Sequence, residues 1–561
     1  MTSAPASKRA TVLLLLGLFL LACLAFAPGI GQPTGVTTKD EYFLGLRTPM
    51  CIVEHGDWLV PCLDGQPRLN KPPLLYWLTA ASYRTFGVSL LSARGVAVIF
   101  GALFVLATAL IAWELTQDRR RSLLAGLVLM SMGSIAIGSR MLLLDIPTAA
   151  LSALAFYVIL RWLRTASHWL LPPIAALLAA GFLIKGPIVL VLSGAGILAL
   201  LFTSVGARSR LRENWPAVSL TFLAFLALAL PWFVYVHAML PGASDHTLNT
   251  ELRARDFFQF SLQPLAGLLL LGLPWSFLAL LLAARGDWRA RMPGLGFLLI
   301  WLVISVAPFF LIKTFGRYLY ASLVPLAIIA AHLLDQPMPR FGRVAAWLGL
   351  LLAGIISGLV VFAVGWFRGV DIAVALGILA WLLFVYVWAR AGNATAMAAS
   401  SALLWAVVMG LVYPRLGLNA IPAQIVQLAR GNPVVMYDGP QPALLPAVLG
   451  RMLWQTDGKW RLPPSLQGSC RPFLVFAEAQ NVDWMRNSMA AHGLTATPVA
   501  HYRTLTSRVS WVHMGRAGLT RDEALAALAR HDLDALAPRI DVFRARFQHC
   551  APVTGGSHGG G

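Results

Sequence analysis

Charged residues are scarce in this sequence, and the two signs are unevenly represented. Only 12% of the 561 residues are Asp, Glu, Lys or Arg, and 58% are hydrophobic. An average soluble domain has roughly 25% charged residues. Acidic residues are the scarcest, with 24 Asp and Glu against 44 Lys and Arg, so the formal net charge is +20. This composition excludes an ordinary soluble protein and indicates a chain that lies largely in a membrane.

Patterns typical of several other protein classes are also missing. The five cysteines have no spacing that suggests a zinc site. The C-terminal part has neither a nucleophile elbow nor a phosphate-binding glycine loop. No basic, aromatic-interleaved soluble surface suggests a nucleic-acid partner. The apolar segments are apolar through their middles and show no repeated halves, which disfavours a lipid or sugar transporter.

Apolar runs long enough to cross a bilayer recur along most of the chain. Thirteen spans are predicted, and the first is expected to be an uncleaved anchor rather than a signal peptide. They lie near 11–28, 92–114, 122–139, 144–163, 169–184, 187–204, 216–238, 264–283, 294–312, 317–334, 344–366, 370–389 and 395–413. The predicted fold is a multi-span α-helical membrane part (1–414) followed by a small soluble domain.

The distribution of Lys and Arg predicts the orientation of the spans. With a cytoplasmic N-terminus, every inner segment is basic, from Lys8 and Arg9 to Arg390. The odd number of spans then places the first loop (29–91), the 239–263 loop and the C-terminal domain outside. The outer segments are basic as well, which the orientation rule does not predict. A cationic outer site suits an anionic lipid headgroup.

The C-terminal part, 415–550, has the pattern of a small α/β domain. Strands are predicted at 433–437 and 472–476, and helices at 482–492 and 520–530, the second with Thr520 as N-cap. We expect a lid or docking module without chemistry of its own. The glycine-rich residues 551–561 are expected to be disordered.

Four of the cysteines fall in predicted outer segments, two in the first loop and two in the C-terminal domain. In an oxidising compartment, two disulfides are expected, Cys51–Cys62 and Cys470–Cys550. The alternative is four free, buried thiols. Cys23 lies in a span and is expected to be a small buried hydrophobe.

Acidic residues at the outer ends of spans are the candidates for catalysis. Asp40 and Glu41 follow the first span, and because adjacent side chains diverge, only one of them is expected to face a common site. Asp145 begins the fourth span, where an N-cap role and anion binding nearby are compatible. Glu251 is a third candidate, in the second outer loop. The alternative for Asp40, Glu41 and Glu251 is a solvated position, and the alternative for Asp145 is a helix N-cap without a further role.

Cations gather at the same outer ends. Lys71 precedes two prolines and the aromatic residue Tyr76, and it is placed to present a point charge to a phosphate. Membrane anchoring is the alternative for each cation taken singly. The other candidate cations are Arg140, Lys185, Arg253, Lys313 and Arg317, and Tyr318 is an aromatic candidate next to Arg317.

The order of these motifs resembles a known family. The first loop contains Asp40-Glu41, Gly56-Asp57-Trp58 with Pro61, Lys71-Pro72 and Tyr76-Trp77. Arg94-Gly95, Arg140 with Asp145-Ile146-Pro147, Lys185-Gly186 and Lys313 with Arg317-Tyr318 follow. This arrangement is similar to lipid A aminoarabinose transferases and, more broadly, to GT-C glycosyltransferases, including protein O-mannosyltransferases. Two departures are Asn70 before the Lys-Pro pair and a longer spacing between Asp40 and Gly56.

The resemblance implies an inner-membrane glycosyltransferase with a periplasmic active site. Such enzymes move a sugar, with inversion, from an undecaprenyl-phosphate donor to an acceptor such as lipid A. Protein or polysaccharide acceptors, an O-antigen ligase and, from another class, a transporter are the alternatives. Asp40 and Asp145 are the implied acids, Lys71 and Arg140 are implied to hold the donor phosphate, and Lys313, Arg317 and Tyr318 are implied to complete the pocket. Glu41 stays a catalytic candidate, and Tyr76, Lys185, Glu251 and Arg253 stay substrate-binding candidates. A divalent Mg²⁺, Mn²⁺ or Ca²⁺ ion on Asp40 and Asp145 is a further expectation, and a monomer is expected.

Overall fold

The membrane part is a bundle of helices. In the computed structural model the described residues are 8–38, 40–63, 65–253, 260–283, 294–312, 316–336, 340–390, 393–437, 444–456, 459–460, 462–505 and 515–550. A π-helix, Glu41–Arg47, precedes α2. The helices of this part are α1 Lys8–Phe26, α2 Thr48–His55, α3 Leu74–Phe86, α4 Leu90–Thr116, α5 Arg119–Met130, α6 Gly133–Gly138, α7 Asp145–Thr165, α8 Leu171–Lys185, α9 Ile188–Thr203, α10 Val205–Glu213, α11 Trp215–Ala229, α12 Pro231–Met239, α13 Pro241–Arg253, α14 Gln263–Leu271, α15 Ser276–Ala283, α16 Leu295–Val306, α17 Leu323–Leu334, α18 Arg340–Arg368, α19 Ile372–Arg390 and α20 Ala394–Val407.

Each of the thirteen predicted spans coincides with helical structure, but not always with one straight helix. In the described part of the chain, nine helices are long and apolar enough to cross a membrane, or ten if one bent pair counts as a span. The other predicted spans fall on short or interrupted helices. The pair α9 and α10 bends by 111°, and Pro274 separates α14 from α15 because proline has no amide to donate and crowds the preceding turn. Apolar periodicity alone does not reveal such breaks.

The helix α17 lies at the centre of the bundle. All twelve of its residues are buried, so it contacts other helices on every side instead of lipid. The 3-10 turn Gly316–Ser322 directly precedes this helix and therefore lies at one end of the buried core. At the other end of the bundle, Arg121 pairs with Asp335 at 3.1 Å, and Arg164 pairs with Glu114 at 2.9 Å.

The first loop is a folded unit at the same end as the 3-10 turn. A disulfide joins Cys51 in α2 to Cys62 in the short strand β1 (Cys62–Leu63), which pairs with β2 (Gln66–Pro67). In the Gly-Asp-Trp motif, an Asp57 carboxylate oxygen accepts the backbone amides of Leu59 and Val60 at 3.0 and 2.9 Å. That motif is therefore a turn whose geometry depends on the aspartate side chain.

The C-terminal domain is built on a five-stranded mixed sheet in the order β4-β3-β5-β7-β6. Its elements are α21 Ala423–Arg430, β3 Val434–Tyr437, α22 Leu445–Leu449, β4 Trp454–Thr456, β5 Phe473–Glu478, α23 Val482–Ala491, β6 Leu494–Arg503, α24 Arg521–Ala529 and β7 Arg539–Phe547. Strands β3 and β5 and helices α23 and α24 match the prediction. Strands β4, β6 and β7 are additional to it. The Cys470–Cys550 disulfide is present, and residues 551–561 lie outside the described part.

Thr520 caps α24 as predicted, in a reciprocal capping box with Glu523. Hydrogen bonds from the Thr520 amide and from Arg516 lower the pKa of Glu523 to about 2. Because the folded-state pKa is depressed, the stabilisation is fully present above the ordinary carboxylate pKa and is lost progressively as the pH falls from there through about 2. The cap is therefore complete at every physiological pH.

The domain contacts the membrane part beside the end of α18. The Trp366 indole donates to the Leu528 carbonyl at 2.9 Å, and its ring stacks on His531 with centroids 3.9 Å apart. Arg368 pairs with Asp534 at 3.2 Å. The C-terminal domain therefore lies at the end of the bundle that carries the first loop.

Candidate functional site

Arg317 joins two of the predicted catalytic carboxylates. Its Nε lies 3.3 Å from Asp145 Oδ2, and its Nη2 forms an ion pair with Asp40 Oδ2. The planar guanidinium presents several donors in a fixed fork, so one side chain can hold two carboxylates at once. Asp40 and Asp145, which are far apart in sequence, are thus brought together as predicted.

Lys185 completes the cluster from the other side of Asp145. Its Nζ pairs with Asp145 Oδ1 and lies 3.7 Å from the centroid of the Tyr318 ring. The lysine therefore has both an anion and an aromatic face as partners. We call Asp40, Asp145, Lys185, Arg317 and Tyr318 the charged cluster.

The ends of four helical segments position this cluster. Asp40 is the N-cap of the π-helix, Asp145 is the first residue of α7, and Lys185 is the last residue of α8. An acid at a helix N-terminus and a base at a C-terminus each suit the helix dipole. Arg317 lies in the 3-10 turn before α17. Local helix signals and ion pairing therefore favour the same arrangement.

The two carboxylates differ in how much of each side chain is exposed to solvent. The Asp40 side chain is 43% exposed, whereas that of Asp145 is 5% exposed. A buried carboxylate is stable only when its partners compensate for lost water, and Asp145 has a cation on each oxygen. Asp145 is therefore suited to hold the two cations, and Asp40 is suited to meet a ligand that enters from solvent.

Lys71 lies close enough to the cluster for its positive charge to repel that of Lys185. It is half-buried between Asn70 and the buried Pro72. Lys71 is thus a third cation near the two carboxylates of the cluster, and a site rich in cations suits an anionic ligand such as a phosphodiester.

Glu41 points away from the cluster. Its carboxylate is fully buried and bidentate with Arg94, with contacts of 2.9 and 3.0 Å. It also accepts the Leu142 amide at 2.9 Å and the Thr37 hydroxyl. The sequence suggests a catalytic Glu41. With both oxygens occupied by the protein, the geometry instead favours a structural role, and one of the two adjacent acids faces the site.

Arg140 and Tyr76 are also directed elsewhere. Arg140 donates hydrogen bonds to the Ala25 carbonyl at 2.7 Å and to the Ala136 carbonyl. Its guanidinium therefore binds backbone oxygens near the ends of two helices. Tyr76 is fully buried and packs with Ile52 and Ala80 beneath the first loop. The sequence suggests that both bind substrate; the contacts described for them are made within the protein, and substrate binding by either stays a prediction.

The remaining predicted residues cannot be placed at the site. Lys313 lies outside the described residues, as do the side chains of Glu251 and Arg253 at the end of α13. Arg94 is a partner whose role sequence reasoning missed. An arginine near the start of the predicted span 92–114, followed by apolar residues, is the signal that could have indicated a buried pair.

The cluster does not offer a ready site for a divalent metal. Both Asp145 oxygens pair with cations, and Asp40 shares Arg317, so two positive groups lie where a metal would bind. Among the described residues, the groups of His, Cys, Asp and Glu that are close enough for one ion both contain disulfide-bonded cysteines.

Comparisons with known proteins agree with this architecture. Residues 49–245 match the model of the family described as dolichyl-phosphate-mannose-protein mannosyltransferase. An undecaprenyl phosphate-alpha-4-amino-4-deoxy-L-arabinose arabinosyl transferase from Pseudomonas aeruginosa (strain UCBPP-PA14) is 30% identical over 322 residues, which cover 52% of this chain and 55% of that protein. The chain thus spans about half the length of the curated relatives it matches.

The similarity to solved structures extends over nearly the whole chain. ArnT from Cupriavidus metallidurans in the apo state has a TM-score of 0.67 at 17% identity and covers 97% of this chain and 99% of its own. The same protein bound to undecaprenyl phosphate has a TM-score of 0.66 at 16% identity, covering 95% and 98%. At this identity the comparison shows the fold, and the predicted multi-span helical membrane part with a small C-terminal α/β domain is confirmed.

Proposed function

We propose that this chain, which has the GT-C fold and matches the protein mannosyltransferase family over residues 49–245, is a glycosyltransferase. It takes a sugar from an undecaprenyl-phosphate donor and acts at the periplasmic face of a bacterial inner membrane. The preferred sugar is 4-amino-4-deoxy-L-arabinose, and the preferred acceptor is a phosphate of lipid A. The names of the curated relatives support the donor and the sugar.

The charged cluster is the observation that carries this proposal. Two carboxylates and two cations from four separate segments converge at one end of a membrane bundle, where isolated charges would be expensive. The nearby cation Lys71 adds to a site that suits a lipid-linked phosphodiester. A donor of this kind can lie with its prenyl chain in the membrane and its phosphate at the cluster.

The reaction needs positioning and charge rather than a covalent intermediate. The acceptor oxygen forms a bond to the anomeric carbon while the bond from that carbon to the phosphate oxygen breaks. Undecaprenyl phosphate leaves with the electron pair, and attack from the opposite face inverts the anomeric centre. Arg317, Lys185 and Lys71 stabilise the negative charge that develops on the phosphate, and cations that the protein holds in place beforehand are effective at this task.

The acceptor decides what Asp40 does. A hydroxyl acceptor must lose a proton, and the exposed Asp40 carboxylate is placed to take it as a general base. A lipid phosphate is already ionised, so Asp40 would then orient the acceptor or an ammonium group on the sugar. Asp145 has both oxygens on cations and keeps them in place in either case.

Transfer of a hexose to a protein hydroxyl is the second candidate. The family match over residues 49–245 favours it, because that family is described as a protein mannosyltransferase. The two candidates differ in both donor sugar and acceptor, so one assay can separate them.

Purified protein in lipid nanodiscs tests the proposal. It should convert undecaprenyl-phosphate aminoarabinose and lipid A into modified lipid A, detected by mass spectrometry, and it should not modify a Ser/Thr-rich peptide with mannose from the matching donor. Asp40→Asn should lose most of this activity. Asp118→Asn is the matched control, since Asp118 caps α5 and Asn caps about as well.

Three results have distinct meanings. Peptide mannosylation without lipid A modification would replace the preferred function with the second one. If the wild-type protein releases undecaprenyl phosphate from none of the donors, both candidate functions are contradicted. Full activity in EDTA would show that the reaction does not need the divalent metal that the sequence suggested.

A further inference from the structure

The segment that follows Asp40 is attached to two different parts of the molecule. Asp40 faces the charged cluster, Glu41 is held in the membrane bundle by Arg94, and Tyr42 turns toward the C-terminal domain. Three consecutive side chains thus have three different partners. The segment runs on as the π-helix Glu41–Arg47, a rare form that is frequent at functional sites.

Tyr42 belongs to the core of the C-terminal domain. Its side chain is 2% exposed, and it packs in a cluster whose other described members lie after residue 420, including Ile425, Met436 and Leu453. Its hydroxyl donates to the Met436 sulfur at 3.9 Å. A ring buried in this way stabilises through packing, and the weak bond to sulfur adds little.

Arg47 makes a second attachment at the other end of the π-helix. It is fully buried, and it donates to the Gln455 side-chain oxygen at 2.9 Å and to the Leu453 carbonyl at 3.3 Å. Its guanidinium also lies 5.2 Å from the centroid of the Tyr42 ring. Gln455 is in β4, an edge strand of the sheet. Arg47 therefore ties the π-helix to that edge.

Tyr42 is only two residues from Asp40 in the sequence. These contacts therefore attach the C-terminal domain to the chain close to the exposed Asp40 carboxylate. Asp40 is the more exposed member of its ion pair, with 43% of its side chain exposed against 23% for Arg317. Its position therefore depends strongly on the backbone that carries it. That backbone is fixed from the membrane side by Glu41 and from the outer side by Tyr42 and Arg47.

We infer that the C-terminal domain positions the Asp40 carboxylate for the proposed transfer, and that Tyr42 and Arg47 are the positioning residues. The inference deepens the proposed function and depends on it. The domain is then a working part of the active site, and not the passive lid or docking module that the sequence suggested. Detachment of Tyr42 would remove the attachment to the C-terminal domain that lies nearest to Asp40 in the sequence.

Tyr42→Ala and Tyr42→Phe form the decisive pair. Tyr42→Ala should lower kcat about 10- to 100-fold with little change in the KM for the donor, because small misplacements of a reacting group have effects of this size. Tyr42→Phe keeps the ring and should stay within about twofold of wild type, as the lost bond to sulfur is weak. Arg47→Met, which keeps much of the volume but not the hydrogen bonds, should behave like Tyr42→Ala.

Glu54→Ala is the control from the same interface. The Glu54 carboxylate accepts the Met452 amide at 2.8 Å at an exposed position near the end of α2, so its loss should leave kcat unchanged. If Tyr42→Ala reduces only the yield or the melting temperature and the folded fraction keeps the wild-type kcat, the role is structural and the inference is wrong. Equal loss in Glu54→Ala would also contradict it.

A labelling experiment separates this inference from the proposed function. In an Asp40→Cys background, adding Tyr42→Ala should raise the rate at which a charged methanethiosulfonate labels the introduced thiol about tenfold, since local freedom governs such reactivity. Unchanged labelling would contradict the inference even in a protein with no detectable transferase activity. Wild-type inactivity together with the expected labelling would instead contradict the proposed function alone.

Discussion

At the scale of single residues, the site is organised by which charges water can reach. Asp145 is almost fully buried, and each of its oxygens pairs with a cation, whereas Asp40 shares one partner and is open to solvent. Arg317 is the residue common to both carboxylates. The cluster therefore depends more on this guanidinium than on any other single group described at the site.

Arg317 substitutions test that dependence. Arg317→Ala should lower kcat/KM by about 10²- to 10³-fold, the usual effect of losing one fixed donor at a developing charge. Arg317→Lys should recover only part of the loss, because a point charge cannot hold two carboxylates in a fixed fork. Steady-state kinetics of donor consumption would measure both. Full activity in Arg317→Lys would show that charge alone suffices.

Glu41 provides the complementary test, of folding rather than chemistry. Glu41→Gln leaves the buried Arg94 without its counter-ion, which typically costs about 3–5 kcal/mol. We expect a low yield of folded protein in size-exclusion chromatography and a lower melting temperature. The double variant Glu41→Gln/Arg94→Met removes both charges and should recover most of the yield. If Glu41→Gln folds normally but is inactive, Glu41 belongs to the chemistry after all.

At the scale of helices and strands, sequence patterns predict what is long and apolar and miss what is short or interrupted. The helices α4, α7 and α18 follow directly from their apolar length. The breaks near Met132 and Pro274 do not, because tertiary packing decides whether a span continues through such a point. Strand β4 has three residues and lies at a sheet edge, so no alternating pattern can develop.

The disulfide of the C-terminal domain is an element-scale constraint that can be measured. Cys470 and Cys550 are 80 residues apart in sequence, so their bond restricts most of the unfolded domain. Cys470→Ser/Cys550→Ser should lower its free energy of unfolding by about 2–5 kcal/mol, measured by pulse proteolysis in urea. Cys23→Ser is the control, since Cys23 is a free cysteine in α1. Equal stability in the two variants would contradict this prediction.

At the scale of the whole molecule, the sequence predicts that distant charges converge but not which charges pair. Asp40, Asp145, Lys185 and Arg317 all lie at span ends, as Arg140 does, and sequence alone cannot tell which of them are adjacent in space. Arg140 turns to backbone carbonyls because two helix ends lie within its reach. The neighbours of Tyr76 on α3 diverge from it by about 100° each, and the sequence does not say which face is inward.

Orientation is the whole-molecule prediction that remains to be tested. Alkaline phosphatase fused after residue 550 should be active, because that enzyme folds only where disulfides form. Fusion after Arg390 should be inactive, since the basic segments are expected to stay in the cytoplasm. A reversed pattern would place the charged cluster on the cytoplasmic side and would contradict the periplasmic assignment.

The two disulfides have a consequence for how the chain matures. Cys51–Cys62 lies in the first loop and Cys470–Cys550 in the C-terminal domain, both at the end of the bundle that carries the charged cluster. If this end faces the periplasm, as proposed, a chain inserted in the opposite orientation would keep all four sulfurs in a reducing compartment, where such bonds do not persist. Misinserted copies would then lack both cross-links and would be more open to proteolysis.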